Sequence, residues 1–165
     1  MENQIKSAYF AGGCFWGVEY YFEKLEGVKA AISGYMGGKI DNPSYEMVCT
    51  GFSGHLEVVR VDYDSSIVSF ESLTKLFFEI HDPEQINGQG PDIGPQYLSA
   101  IFYNDELEKE ISLKLIEQLS KNGYRVATKL IPCVGNPFFE AEAYHQDYYF
   151  KHNKIPYCHS YQKRF

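Results

Sequence analysis

The sequence predicts an α+β fold, a two-layer sandwich with a split βαβ (ferredoxin-like) core and long surrounding loops. Stretches that alternate between apolar and polar residues, as strands do, occur between stretches whose apolar residues recur every three or four positions, as in helices. Glycine-rich segments over 34–44 and 86–95 separate several of these stretches and predict long loops. Because the chain has 165 residues, 44% of them apolar, we expect one domain over 1–165, with a mobile tail over 153–165.

A cysteine lies where the first predicted strand meets the first predicted helix. Residues 8–11 form a short apolar strand, and the helix after it ends near Gly27 with an apolar face of Phe15, Val18, Phe22 and Leu25. Gly12 and Gly13 permit a sharp turn between the two elements. Cys14 therefore begins the helix, where unpaired N–H groups and the helix dipole favour a thiolate. It is a candidate nucleophile, and the alternative is a small apolar residue packed at a corner.

The strand predicted over 55–64 carries a carboxylate on its apolar side. Glu57 shares its side of the strand with Val59, Val61 and Tyr63. A carboxylate that points into a core is costly unless it is hydrogen-bonded or protonated. Burial raises the pKa of such a group, which suits a general acid. The alternative is a glutamate at the rim, satisfied by a backbone group or a cation.

Periodicity and capping residues predict the other elements. Ser69 and Asn104 begin two amphipathic helices, and a third helical stretch covers 137–152. The core-facing side of the helix after Asn104 is predicted to consist of Leu107, Ile111, Leu115, Ile116 and Leu119. The remaining strands are predicted over 28–32, 97–103 and 126–131, and no regular element is predicted over 45–54.

Charge and cysteine content restrict the partners and the compartment. The net charge of −7 argues against nucleic acid or an anionic membrane as the main partner. No apolar run reaches transmembrane length and no signal peptide is visible, so we expect a cytoplasmic protein with reduced thiols. The four cysteines, Cys14, Cys49, Cys133 and Cys158, form no Cys-x-x-Cys pair, so no metal site is predicted.

Four sequence blocks together resemble one enzyme family. The first is Gly-Cys-Phe-Trp-Gly-x-Glu over 13–19, and the others lie, in the family's order, over 45–57, 81–99 and 141–146. This set resembles the A-type peptide methionine sulfoxide reductases. The resemblance implies a single catalytic domain that reduces the S epimer of methionine sulfoxide, free or within oxidised proteins and peptides. It also implies that no cofactor is bound and that thioredoxin, an external dithiol, is the reductant.

The resemblance also assigns roles to individual residues. It makes Cys14 the nucleophile and Glu57 the group that protonates the sulfoxide oxygen, assisted by the hydroxyls of Tyr45 and Tyr97. The methyl group of the substrate would occupy an aromatic slot formed by Phe15 and Trp16, although Phe15 also belongs to the apolar face of its own helix. Asp92 would position the substrate through hydrogen bonds, and its alternative role is to cap a turn.

The reaction would leave Cys14 as a sulfenic acid that a second thiol converts to a redox-active disulfide. Sulfenic acid is a reversible oxidation state of cysteine, so reduction of the disulfide would return the enzyme to its starting form. The resemblance makes Cys158 the resolving residue, with Cys49 and Cys133 as the alternatives.

Two other functional classes compete with this interpretation. A papain-like cysteine hydrolase also has a helix-terminal cysteine near a tryptophan, and His145 follows Cys14 at a suitable distance. However, Phe15 separates the cysteine from Trp16, and an inward Glu57 has no role in acyl transfer. A non-catalytic peptide-binding module could use the same aromatic residues, and a Cys14 thiol of ordinary pKa would favour it.

Overall fold

A computed structural model describes residues 4–157 and 159–165. In chain order the strands and helices are β1 (Ile5–Gly12), α1 (Phe15–Glu23), β2 (Val28–Met36), α2 (Tyr45–Cys49), β3 (Leu56–Asp64), α3 (Phe70–Ile80), β4 (Gly88–Gln89), β5 (Asp92–Ile93), β6 (Ser99–Tyr103), α4 (Glu106–Lys121), β7 (Lys129–Pro132), β8 (Phe139–Glu140) and α5 (Tyr148–Lys151). Short 3-10 helices cover Pro95–Tyr97 and Ala143–His145. Within the described ranges, every helix is too short or too polar to cross a membrane.

Within the described part of the chain, six strands form the central sheet in the order β7-β6-β1-β3-β2-β8. Strands β6 and β7 are parallel, and the other neighbouring pairs are antiparallel. The unit β1–α1–β2 has β3 inserted between its strands, and the unit β3–α3–β6 has β1 inserted in the same way. These two interleaved units are the split βαβ core that the sequence predicts, so the predicted fold class is confirmed.

Alternate residues of the central strands face two different layers. On one face Phe10 of β1 and Val59 and Val61 of β3 pack into the main core with side chains of α1, α3 and α4. On the other face a smaller cluster contains Val58 and Phe102, against which side chains of the 131–138 segment pack. Helices therefore cover one face and loops cover much of the other. Glu57 has the same parity as Val59, which places it on the helical side.

The predictions at the starts of α1 and α3 are confirmed. The helix after the glycine turn begins at Phe15, directly after Cys14. Ser69 caps α3, since its Oγ accepts a hydrogen bond of 3.0 Å from the backbone N–H of Ser72. Both helix starts depend on interactions within a few residues, which a single sequence reveals.

Two element ends in the first third of the chain were predicted wrongly, and one helix there was not predicted. Helix α1 ends at Glu23, earlier than the predicted end near Gly27, and β2 continues to Met36, beyond the predicted 28–32. Pairing with both β3 and β8 supports this extension through Ser33 and Gly34, which have little strand propensity of their own. Helix α2 forms where no element was predicted, because the Ser44 side chain accepts a hydrogen bond of 3.2 Å from the Met47 N–H.

The second half contains the larger corrections. The N-cap of α4 is Asp105 rather than Asn104, and Leu107 is 64% exposed rather than part of the core. Strand β6 begins at Ser99 and β7 at Lys129, both later than predicted. The stretch over 137–152 is mostly not helical: Phe139 and Glu140 pair with the edge of β2, and Asp147 has a φ of 54° that a continuous helix excludes.

The described part of the tail after α5 forms no helix or strand. Its backbone nevertheless contacts α3: the Gln162 N–H donates to the Glu79 carbonyl at 2.7 Å, and the Arg164 N–H donates to Glu79 Oε2 at 3.1 Å. The predicted mobility of 153–165 stays a prediction. Cys158, the predicted resolving residue, lies outside the described residues.

Candidate active site

The predicted nucleophile occupies the N-cap position of α1. Cys14 is 8% exposed and has a φ of −55° and a ψ of 120°, so the helix begins immediately after it. The turn before it depends on Gly13, whose φ is +93° and whose position leaves no room for a Cβ beside Gln89. The first-turn N–H groups and the dipole of α1 thus act on the cysteine, and both stabilise a thiolate.

A buried carboxylate contacts the same turn. Glu57 is 1% exposed, and its Oε1 accepts a hydrogen bond of 3.2 Å from the backbone N–H of Phe15. On the sheet it pairs with Tyr35 of β2. Because Glu57 lies on the apolar side of β3, its carboxylate reaches the residue that follows the candidate nucleophile, which makes Glu57 a candidate proton donor at that position.

Two tyrosines surround this carboxylate. Tyr45 begins α2, and Tyr97 ends the 3-10 helix before β6. Burial raises the pKa of both hydroxyls well above the ordinary value, and the charge of Glu57 raises the pKa of each further. Both hydroxyls therefore remain protonated at neutral pH and are available as hydrogen-bond donors.

Sequence reasoning missed a tyrosine and a carboxylate beside the site. Tyr35 is fully buried, and its ring centroid lies 5.7 Å from that of Phe15. Its hydroxyl donates to Glu142 Oε1 at 2.9 Å, and the Tyr45 N–H donates to Glu142 Oε2 at 3.0 Å. Although partial burial opposes it, these hydrogen bonds lower the pKa of Glu142, which stays ionised. The signal that could have revealed Tyr35 is the length of β2. A strand predicted to continue to residue 36 would have placed Tyr35 beside Glu57 on the neighbouring strand.

Trp16, one of the two residues of the predicted aromatic slot, contacts a residue of the fourth sequence block. The Trp16 Nε1–H donates to His145 Nδ1 at 3.0 Å, and the Trp16 ring stacks on Tyr148 with centroids 3.6 Å apart and planes 7° apart. Burial lowers the pKa of His145, which keeps the imidazole neutral and its Nδ1 able to accept this bond. His145 is thus a buried hydrogen-bond acceptor, in a 3-10 helix rather than the α-helix predicted there.

Phe15 has a different environment from Trp16. It is 1% exposed and belongs to the main core, where its ring lies 5.4 Å from that of His145 and 6.3 Å from that of Tyr45. Trp16 is half-buried at the edge of the same cluster. The two aromatic residues named by sequence therefore share His145 as a neighbour, with Trp16 the more accessible of the pair.

Asp92 lies in the two-stranded hairpin of β4 and β5. The Tyr157 hydroxyl approaches Asp92 Oδ1 at 3.5 Å, and within the described part of the chain Asp92 Oδ2 is buried without a hydrogen-bond partner. The charge of Asp92 also raises the pKa of Tyr97, so the two residues are close. A buried carboxylate oxygen that still lacks a donor suits a role in binding an N–H group of a ligand.

The pKa values of the two alternative resolving thiols, Cys49 and Cys133, lie above the ordinary value for cysteine. Burial raises the pKa of Cys49 despite a hydrogen bond from Tyr45 that lowers it. Burial and the charge of Glu108 raise the pKa of Cys133 to about 12. Because the thiolate is the attacking form, neither residue is well suited to rapid disulfide formation at neutral pH.

A cluster of three carboxylates, two on α1 and one directly before α5, has the spacing of metal ligands. Carboxylate oxygens of Glu19, Glu23 and Asp147 lie within 4.8 Å of one another. The Glu19 oxygens already accept hydrogen bonds from the Ser33 hydroxyl and the Asp147 N–H. Burial raises the pKa of Glu19 and of Glu23, so both tend to be protonated. This group therefore links α1, β2 and the segment before α5 by hydrogen bonds.

Comparison with known proteins identifies the family. A family model described as peptide methionine sulfoxide reductase matches residues 6–165. The chain belongs to the peptide methionine sulfoxide reductase family. It is 50% identical over 154 residues to peptide methionine sulfoxide reductase MsrA of Nautilia profundicola, a match that covers 93% of this chain and 88% of that protein.

Solved structures agree with this assignment. The reduced form of Mxr1 from Saccharomyces cerevisiae is 34% identical, with a TM-score of 0.86 and coverage of 98% of this chain and 93% of the other. Mxr1 in complex with Trx2 matches with a TM-score of 0.62 and covers 96% of this chain and 91% of the other; at 24% identity it shows the fold alone. The predicted peptide methionine sulfoxide reductase, an oxidoreductase that reduces methionine sulfoxide with thiols, is confirmed. Neither the hydrolase nor the binding module is favoured.

Proposed function

We propose that this reductase acts on the S epimer of methionine sulfoxide, with Cys14 as the nucleophile and Glu57 as the proton donor. The observation that carries this proposal is the 3.2 Å hydrogen bond between the Phe15 N–H and Glu57 Oε1. It places a buried carboxyl group against the residue next to the cysteine. A donor so placed can reach an oxygen bound to the sulfur that Cys14 attacks.

In the reductive step the Cys14 thiolate attacks the sulfoxide sulfur. Glu57 protonates the sulfoxide oxygen, and the oxygen then moves from the methionine sulfur to the cysteine sulfur. The substrate S–O bond and the transient bond between the two sulfurs break, and the new S–O bond leaves Cys14 as a sulfenic acid. The methionine sulfur gains two electrons and the cysteine sulfur loses two. The hydroxyls of Tyr45 and Tyr97, which burial keeps protonated, stabilise the developing charge on oxygen.

The aromatic slot selects the epimer. The substrate methyl group packs against Phe15 and Trp16 while its oxygen faces Glu57, an arrangement that fits only one configuration at sulfur. Asp92 Oδ2, which has no hydrogen-bond partner among the residues that the structure describes, accepts a hydrogen bond from an N–H of the methionine backbone. Free methionine sulfoxide and oxidised residues in peptides and proteins both offer such a group, so both are proposed substrates.

The second half of the cycle requires another thiol. The Cys158 thiol loses its proton and attacks the sulfenic sulfur of Cys14, the S–O bond breaks, the S–S bond forms, and the hydroxide that is released takes up one proton and leaves as water. Cys158 is preferred because burial raises the pKa of both Cys49 and Cys133. A thioredoxin dithiol then reduces the disulfide and is itself oxidised, in keeping with the structure of Mxr1 in complex with Trx2.

This cycle uses only protein thiols, so we propose that no cofactor is bound. One catalytic domain over 1–165 would carry it out, with 153–165 as its mobile C-terminal tail, which contains Cys158. A reducing compartment such as the cytoplasm suits an enzyme whose thiols must be regenerated, and methionine repair after oxidative damage is its proposed role there.

Turnover of the separated epimers tests the proposal. The enzyme is incubated with each sulfoxide epimer and dithiothreitol, and methionine is measured in each reaction. We expect release from the S epimer alone and none after the substitution Cys14→Ser. Equal release from both epimers would refute the stereochemical assignment, and substantial release by the Cys14→Ser variant would refute the assignment of the nucleophile.

A further inference from the structure

His159 is inserted into the turn that carries the nucleophile. The side chain is 4% exposed, and its Nε2 lies 2.6 Å from the carbonyl oxygen of Gly12, the last residue of β1. A carbonyl can only accept a hydrogen bond, so Nε2 must carry the proton. The contact therefore defines the tautomer of a neutral His159 and ties the C-terminal segment to a point two residues before Cys14.

Glycine on α1 provides the space for this ring. A Cβ on Gly17 would overlap His159, with its distance to the ring carbon Cγ only 2.8 Å. Any larger residue at position 17 would therefore displace the imidazole. The first turn of α1 thus has a slot whose observed occupant is His159.

The backbone of the same residue is held as well. The Tyr21 hydroxyl, one helical turn beyond Gly17, donates to the carbonyl oxygen of His159 at 3.4 Å. Side chain and main chain of His159 therefore both contact the β1–α1 unit. Two contacts of this kind leave the residue far fewer positions than a free chain end would have.

We propose that His159 is a positioning residue that holds the C-terminal segment against the β1–α1 turn and thereby accelerates disulfide formation. The proposal rests on the proposed function, in which Cys158 resolves the Cys14 sulfenic acid. Consecutive Cα atoms lie about 3.8 Å apart, so fixing one residue of a chain leaves its sequence neighbours fewer positions than they would have in a free chain end. Restricting a reacting group raises its effective concentration, which accelerates an intramolecular step.

The reductive step does not use this contact. His159 contacts the Gly12 carbonyl and the Gly17 backbone, whereas Glu57, Tyr45 and Tyr97 surround the proposed position of the sulfoxide oxygen. Loss of the imidazole should therefore separate the two halves of the cycle. Methionine release should continue at the parent rate while disulfide formation slows.

The test compares the substitutions His159→Ala and His159→Gln in a single turnover without reductant. Methionine release is measured by rapid quench, and the sulfenic acid is trapped with dimedone while free thiols are counted. For His159→Ala we expect an unchanged release rate, disulfide formation slowed about tenfold or more, and increased dimedone labelling. For His159→Gln we expect partial restoration, because its Nε2–H can reach the same carbonyl. The exposed Lys163→Ala is the matched control in the tail.

The outcomes separate this inference from the proposed function. An inactive parent enzyme would refute the proposed function, whereas an active parent whose His159→Ala variant forms the disulfide at the parent rate would refute the positioning role alone. Equal slowing of both steps would mean that His159 only supports the turn and would also overturn the inference. If His159→Ala fails to fold, Tyr21→Phe removes the second contact, and unchanged disulfide formation in that variant would contradict the proposal.

Discussion

Glu57 accepts a hydrogen bond from the backbone N–H of Phe15 at 3.2 Å, across 42 positions of sequence. This contact joins the second residue of β3 to the first residue of α1, directly after the candidate nucleophile. A buried carboxyl group is thereby aimed at the turn where sulfur chemistry would take place.

Replacing Glu57 by Gln should slow the reductive step by about 10²–10³, the typical effect of losing an aimed donor. The amide oxygen can still accept the bond from Phe15, so we expect the fold and its unfolding midpoint to change little. Methionine release in a single turnover is the measurement, and the substitution Glu46→Gln at an exposed position of α2 is the control. A rate within a few-fold of the parent would contradict the role of Glu57.

The substitution Cys158→Ser should separate the two reductants. The variant is expected to release about one methionine per enzyme and then stop when thioredoxin is the only reductant. Dithiothreitol should restore turnover, because a small thiol can reduce the sulfenic acid directly. Steady-state turnover with each reductant is the measurement. Full turnover with thioredoxin would exclude Cys158, and the Cys49→Ser and Cys133→Ser variants would then be tested.

Glu142 should affect the pocket through the two residues that it bridges. The substitution Glu142→Gln replaces one of the two accepting oxygens by an NH₂ group. That NH₂ group cannot accept the hydrogen bond from the Tyr35 hydroxyl or the Tyr45 N–H, so one of the two bonds is lost. We expect the free energy of unfolding to fall by about 1–2 kcal/mol and kcat/KM to fall severalfold as Tyr45 shifts. Denaturant titration and steady-state kinetics measure the two effects. If Glu140→Gln, an exposed neighbour, has the same consequences, the bridging role is wrong.

Glu19 should make the parent protein less stable as pH rises. Burial raises its pKa in the folded state to about 8, above the ordinary value of 4.5 that it has when unfolded. Below pH 4.5 both states are protonated, so the stabilising effect of the protonated group is fully present. It is lost progressively as pH rises toward 8, because only the unfolded state releases its proton readily.

The substitution Glu19→Gln removes this titration and retains groups able to bond the Ser33 hydroxyl and the Asp147 N–H. Its unfolding free energy should therefore fall less than that of the parent between pH 5 and pH 8, and at pH 8 the variant should be the more stable protein. Urea titrations at both pH values measure this. Glu23 titrates in the same range, so some pH dependence remains. The prediction would be contradicted if the unfolding free energy of Glu19→Gln depended on pH as strongly as that of the parent. It would also be contradicted if the exposed Glu26→Gln variant showed the same reduction in pH dependence.

Local patterns in the sequence were sufficient to predict part of this site. The N-cap position of Cys14 and the start of α3 at Ser69 depend on residues within one turn, so spacing reveals them. The inward direction of Glu57 depends on the two-residue alternation of β3, which a single strand contains in full. The four spaced blocks added the family and hence the reaction.

Only the tertiary structure decided which residues support that site. The acceptor for the Trp16 indole is His145, 129 positions away, and the partner of the Tyr35 hydroxyl is Glu142, 107 positions away. The segment that contains both acceptors was predicted as a helix. Its backbone is not helical, because Phe139 pairs with the edge of β2 and the Asp147 N–H donates a hydrogen bond to Glu19. Such contacts form between elements remote in sequence, and their free energy outweighs local propensity, so no pattern within the segment itself could reveal them.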